Sequence, residues 1–91
     1  MKGVIFDSDP MASSLYVQGI AACSNLLDLD LEVAAFPSGA FAQALEFAPD
    51  DAPFKRQFAQ LELFGAQVHG DPAQSSEARR ALGQCEGVLC F

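Results

Sequence analysis

The side chains best able to do chemistry in this chain are its thiols, Cys23, Cys85 and Cys90. A thiol acts as a nucleophile only as an accessible thiolate, so its surroundings decide its use. Cys85 is the strongest candidate, because it falls in the turn between the last helix and the last strand. Glu86 beside it is expected to raise its pKa and dull it. Cys23 lies on an apolar helical stripe and Cys90 in an apolar terminal run, so both are expected to pack as inert core thiols. His69 and Asp71 form the closest thing to a metal-ligand pair, but one histidine without a neighbouring cysteine reads as an exposed turn residue. Asp7 and Asp9 follow the first strand, where the plain expectation is a loop capped by its own carboxylates. Ser13 and Ser14 precede a helix whose N-terminus could hold an anion.

Composition narrows the classes these residues could serve. The chain has 91 residues and a formal net charge of −7, with its five basic residues scattered as Lys2, Lys55-Arg56 and Arg79-Arg80. Nucleic-acid binding needs a concentrated positive footprint, which is missing, so no direct nucleic-acid contact is expected. No apolar run approaches the roughly 20 residues of a membrane span, and Asp7 and Asp9 interrupt any signal-like start; a cytoplasmic protein is expected. Three cysteines without paired spacing suggest free thiols, no disulfide framework and no metal site. A chain this short buries only roughly 60–65% of its unfolded surface. Yet 51% of its residues are hydrophobic and eight are Phe, so either the core is rich in aromatics or a partner subunit covers the surplus.

The elements that position the candidate residues are set out by period and punctuation. Leu31 to Leu45 is the central stretch: an apolar run through Phe36, a turn at Pro37-Ser38-Gly39, and a helix from Ala40 to Phe47. Strand-to-helix turns of this kind form the rim of α/β proteins, where sites usually sit. Before it, Lys2–Phe6 reads as a strand, and Tyr16, Ile20, Cys23 and Leu27 form one stripe of a helix. Gly19 in that helix implies close packing on the sheet. After it, Pro53 opens a helix with Phe54, Phe58 and Leu61 inward and Lys55, Arg56 and Gln57 facing water. Ala66 to His69 is a short strand. Ser75 or Ser76 caps a helix with Glu77 near its start and Arg79-Arg80 in its later half. Gly87 to Phe91 is a last strand, expected to be buried on both faces because it lacks polar alternation. The order β-α-β-α-α-β-α-β predicts one α/β domain over residues 1–91, with a mostly parallel sheet and helices on both faces.

With these elements placed, the chain resembles the DsrE/DsrF/DsrH family of sulfur-relay proteins, and most closely the DsrF or TusC branch. The likeness rests on Ser8-Asp9-Pro10 after the first strand, the small-residue helix from Gly19 to Leu27, and LDLEVAAFPSGAFAQAL. Leu61 to Gly65, the Asp71-Pro72 turn and EARRALGQCEGVLCF complete it. The resemblance implies a flavodoxin-like or DsrE-like three-layer sandwich with five strands, and a subunit of a hetero-oligomer that passes persulfide sulfur between cysteines. DsrE/TusD-like and DsrH/TusB-like subunits would be its partners, and the chain alone could form homo-oligomers. The sulfur would travel toward 2-thiolation of tRNA wobble uridine, or toward DsrC in sulfur oxidation. No cofactor is implied. Where the family's active subunit carries its sulfur-bearing cysteine, this chain has Gln67-Val68-His69-Gly70-Asp71. The resemblance therefore implies a scaffolding subunit, with Cys85 and Cys90 as the remaining thiols of interest.

A second likeness is narrower. VIFDSD resembles the first motif of haloacid-dehalogenase-type phosphatases, which implies Asp7 as nucleophile and Asp9 as acid/base. Pro10 and Met11 replace the usual continuation, and Asp50-Asp51 precede Lys55 in the wrong order for the later motifs. A stand-alone anion-binding module with a site at Ser13 and Ser14 is the third expectation.

Overall fold

The computed structural model describes residues 1–91, as four strands and four helices in the expected order. These are β1 (Lys2–Phe6), α1 (Leu15–Asp28), β2 (Val33–Pro37), α2 (Gly39–Phe47), α3 (Pro53–Leu63), β3 (Gln67–Val68), α4 (Ser76–Gly83) and β4 (Gly87–Cys90). All pairings are parallel and the strand order is β3-β2-β1-β4. The sheet has four strands, where the family resemblance implied five.

The order follows from where the helices lie. The larger core gathers Val4, Phe6, Val33 and Ala35 of the sheet with Cys23, Phe41, Phe54, Phe58 and Leu61, so α1, α2 and α3 share one face. Ala34 and Phe36 point the other way and meet Ala78 of α4. The chain steps outward from β1 to β3 under the first face and returns to β4 across the second, so every crossover keeps one hand. The result is a three-layer α/β domain. The reversal of direction falls between β1 and β4, the kind of place where open α/β sheets usually bind ligands.

β2 is the central strand in burial, with all five residues enclosed. Its sequence VAAFP lacks polar alternation because helices cover both faces. The large core is an aromatic cluster centred on Phe41, whose ring centroid lies 5.2–5.8 Å from those of Phe6, Phe54 and Phe58. Tilted and edge-on contacts of this kind add to area burial. Gly19 is explained by the same cluster: a Cβ there would sit 2.6 Å from Cε2 of Phe6, so only glycine lets α1 approach the sheet.

Four expectations are corrected. β4 is an edge strand, and its Val88 and Leu89 are each 47% exposed. An unbroken apolar run marks a strand buried on both faces only when helices extend that far, and here α4 lies over β2. Cys90 is accordingly exposed and not a core thiol. Lys55 does not face water; its ammonium donates to the carbonyl of Ala48 at 2.6 Å and lies 3.5 Å from Asp50, closing the loop before α3. β2 also starts at Val33, two residues later than expected, because Leu29–Leu31 complete the turn that ends α1.

Candidate functional site

The carboxyl ends of the strands bring Asp7, Ser8, Ser38, Gly39 and Phe91 together. Asp7 leaves β1 directly beside the start of α2, and the Ser38 hydroxyl donates to its Oδ1 at 2.8 Å. Gly39, at φ 51, turns the chain into the helix, and a Cβ there would collide with the Asp7 carboxylate. The turn thus needs glycine twice over, for its left-handed backbone and for room. On the other side, the backbone N–H groups of Asp7 and Ser8 both donate to the carbonyl of Phe91, at 2.7 and 3.2 Å. The polar groups of this rim are mostly paired with one another.

Asp9 does not join Asp7. Its Oδ1 accepts from the N–H of Met11 at 2.9 Å, and its carbonyl accepts from Ala12 and Ser13. The loop is capped by its own carboxylate, as the plain expectation had it. A shallow cleft of about 330 Å³ opens beside it, lined by Asp9, Met11, Ala40, Gln43, Phe47 and Pro49 among others.

The other candidates lie apart. Ser14 stands at the N-cap of α1 without a side-chain cap bond, while the Ser13 hydroxyl accepts from Leu15 N–H at 3.2 Å. One of the amide donors an anion would use is thereby occupied. His69 is half-buried, in contrast to the exposed turn residue expected. Its ring stacks on Phe36 with centroids 5.0 Å apart, and Nε2 lies 3.3 Å from Oε1 of Gln67. Asp71 turns away from it to accept from Ala73 N–H. No group of three or more His, Cys, Asp or Glu side chains is arranged to hold a metal.

The three thiols occupy three different settings. Cys23 is fully buried, and that burial pushes its pKa up to about 11. Cys85 sits at the amino end of the sheet, against Gly3, where a Cβ would lie 2.9 Å from its Sγ. Its thiol donates to Ala81 O at 3.5 Å, and burial raises its pKa while the N-terminal ammonium partly offsets the rise. Glu86 does not act on it as expected, because the carboxylate is turned to the Met1 ammonium at 2.8 Å. That pair, with Lys2 nearby, lowers the Glu86 pKa. Cys90 is exposed on β4.

Two relationships were not legible beforehand. Ser38 was visible only as part of a turn, although a serine between a strand-ending proline and a helix-opening glycine is well placed to reach the neighbouring strand's end. Gly3 was visible only as a strand residue, and its partnership with Cys85 depends on tertiary packing alone.

Compared with known protein families, with curated proteins and with solved structures, the chain finds no match.

Proposed function

We propose that this chain is a non-catalytic subunit of a cytoplasmic sulfur-relay assembly, holding DsrE/TusD-like and DsrH/TusB-like partners so that a partner's cysteine can carry the persulfide. The observation that carries this proposal is β4, an apolar edge strand whose outer hydrogen-bonding groups are unpaired and whose Val88 and Leu89 are half exposed. Exposed apolar edges invite pairing with another chain, and monomers often blunt them with charge, proline or a covering element. β4 carries neither charge nor proline. β3, the opposite edge, is only two residues long.

The thiols support the same division of labour. A relay cysteine has to be accessible and readily ionised. Cys23 is neither, Cys85 is held by Ala81 with a raised pKa, and Cys90 lies on the strand that partner pairing would cover. The test is co-expression with DsrE-like and DsrH-like subunits, followed by persulfide labelling. Label on a partner, unchanged by Cys85→Ser and Cys90→Ser here, supports the proposal. Label that disappears with either substitution transfers the chemistry to this chain.

One observation favours a second function. Asp7 stands at the carboxyl end of a central strand with a serine hydroxyl on its carboxylate. This is the position a phosphatase nucleophile would take. Mg²⁺-dependent hydrolysis of p-nitrophenyl phosphate, lost in Asp7→Asn, would establish that function in place of the first.

A further inference from the structure

The amino end of the sheet carries a surface of its own. Helices α1 and α3 both end there, and they end alike. At α1, the N–H of Asp30 donates to Leu27 O and that of Leu31 to Leu26 O, at 3.0 and 3.2 Å, with Asp30 at φ 59. At α3, Gly65 N–H donates to Glu62 O and Ala66 N–H to Leu61 O, at 3.2 and 3.0 Å, with Gly65 at φ 108. These are twin Schellman caps on two helices that pack together. Each presents its cap side chain to solvent, Leu29 being 70% and Phe64 61% exposed. Leu63, at 83%, and Leu31, at 39%, are the other exposed leucines at these two helix ends. A cleft of about 220 Å³ lined by Ser24, Leu27, Asp28 and Phe64 links the two helices.

The charge around this surface has one sign. Asp28, Asp30, Glu32 and Glu62, in or just after the last turns of the two helices, are all exposed. Helix C-termini carry partial negative charge, usually met by Lys or Arg in the last turn. Neither α1 nor α3 has a basic residue in its last turn. Lys2, the basic residue at this end of β1, reaches instead over Gly87 toward Glu86. Two dipole ends and four carboxylates are left without a cation.

We propose that this surface docks a basic amphipathic segment of another protein. Its apolar side chains would cover Leu29, Leu31, Leu63 and Phe64, and its Lys or Arg residues would meet the carboxylates and the two helix ends. A second copy of this chain fits poorly, because a two-fold contact would bring the same carboxylates together. An anionic membrane is repelled for the same reason. The inference goes beyond the sulfur-relay proposal and does not depend on β4.

The test is an amide chemical-shift titration of the whole chain with a helical Leu/Lys peptide of about 18 residues, five turns, with Leu on one face and Lys on the other. A Leu/Glu peptide of the same design is the control. Shifts are expected at residues 27–32 and 61–66. Binding should weaken about tenfold or more in the Leu63→Ser/Phe64→Ser protein, a change of about 1.4 kcal/mol or more. It should also weaken in Asp28→Asn/Glu62→Gln and at high salt. All four substituted side chains are exposed, so the buried core is left untouched. Val88→Ser/Leu89→Ser should bind normally. Shifts centred elsewhere, equal binding of the Leu/Glu peptide, or self-association through Phe64 would overturn the proposal.

Discussion

The Ser38 hydroxyl donates a 2.8 Å hydrogen bond to Asp7 Oδ1, joining the carboxyl ends of β1 and β2 at the start of α2. The two side chains come from positions 31 residues apart, and Gly39 leaves the space in which they meet. Ser38→Ala and Asp7→Asn are expected to show a coupling of about 0.5–1.5 kcal/mol in a double-mutant cycle read by urea unfolding. Additive losses would mean that the bond contributes nothing. Gly39→Ala should cost more, about 1–2 kcal/mol for the left-handed backbone alone, with the collision at Asp7 added.

The aromatic cluster gives a larger effect. Phe41 is fully buried and meets Phe6, Tyr16, Phe54 and Phe58. Phe41→Ala should cost about 3–5 kcal/mol, a large part of the stability of a domain this size. A loss under about 1 kcal/mol would show that the core collapses around the vacancy and that Phe41 does not hold the cluster together.

Gly19→Ala sets two effects against each other. Alanine improves a helix interior by up to about 1 kcal/mol. Its Cβ would meet the Phe6 ring at 2.6 Å, and overpacking of that kind costs about 1–3 kcal/mol. Net destabilisation is expected in the urea midpoint, and a gain would mean that Phe6 moves aside easily.

The overall order of elements was legible because period and punctuation agree along most of the chain. Phe54, Phe58 and Leu61 recur at helical spacing and are buried as that spacing implies. Gly19 signalled a close approach, although not which side chain it meets. β4 was misjudged because GVLCF carries no sign of how far the helices reach, and reach is set by helix placement elsewhere in the fold. His69 was misjudged for a similar reason, since nothing local announces the Phe36 ring beneath it. The rim was half legible: Asp7 and Asp9 were apparent as a pair, but Asp9 turns back on its own loop and Ser38 takes the place beside Asp7.

Two titrations follow from the charge settings. The Glu86 pKa is lowered by the Met1 ammonium and Lys2, so the folded state holds the carboxylate more strongly than the unfolded chain does. That contribution is present above the unfolded pKa and is lost as pH falls through the folded one. In melting curves on the acid side, Glu86→Gln should therefore flatten part of the decline. The Cys23 pKa is raised from 9.0 to about 11, so its contribution is complete below 9.0 and is lost as pH rises toward about 11. Cys23→Ala should be less stable at neutral pH and lose less on going alkaline. An unchanged alkaline slope would contradict the burial argument.

Thiol labelling of the native protein should rank the cysteines by setting. Cys90 is exposed, Cys85 half-buried with a raised pKa, and Cys23 enclosed. Modification by a maleimide should proceed in that order, with Cys23 reacting only as fast as the protein opens. Cys85 outpacing Cys90 would reveal an activation that the observed contacts do not supply.

The measurement that bears most directly on the central proposal is the native mass of the chain purified with DsrE-like and DsrH-like subunits, compared with Val88→Ser/Leu89→Ser. Both residues are half exposed, and the substitution makes the exposed apolar surface of β4 polar. A discrete hetero-oligomer that contains this chain and falls apart in the variant is the predicted result. A chain that stays apart from those subunits, or an assembly indifferent to the β4 substitutions, would contradict the account.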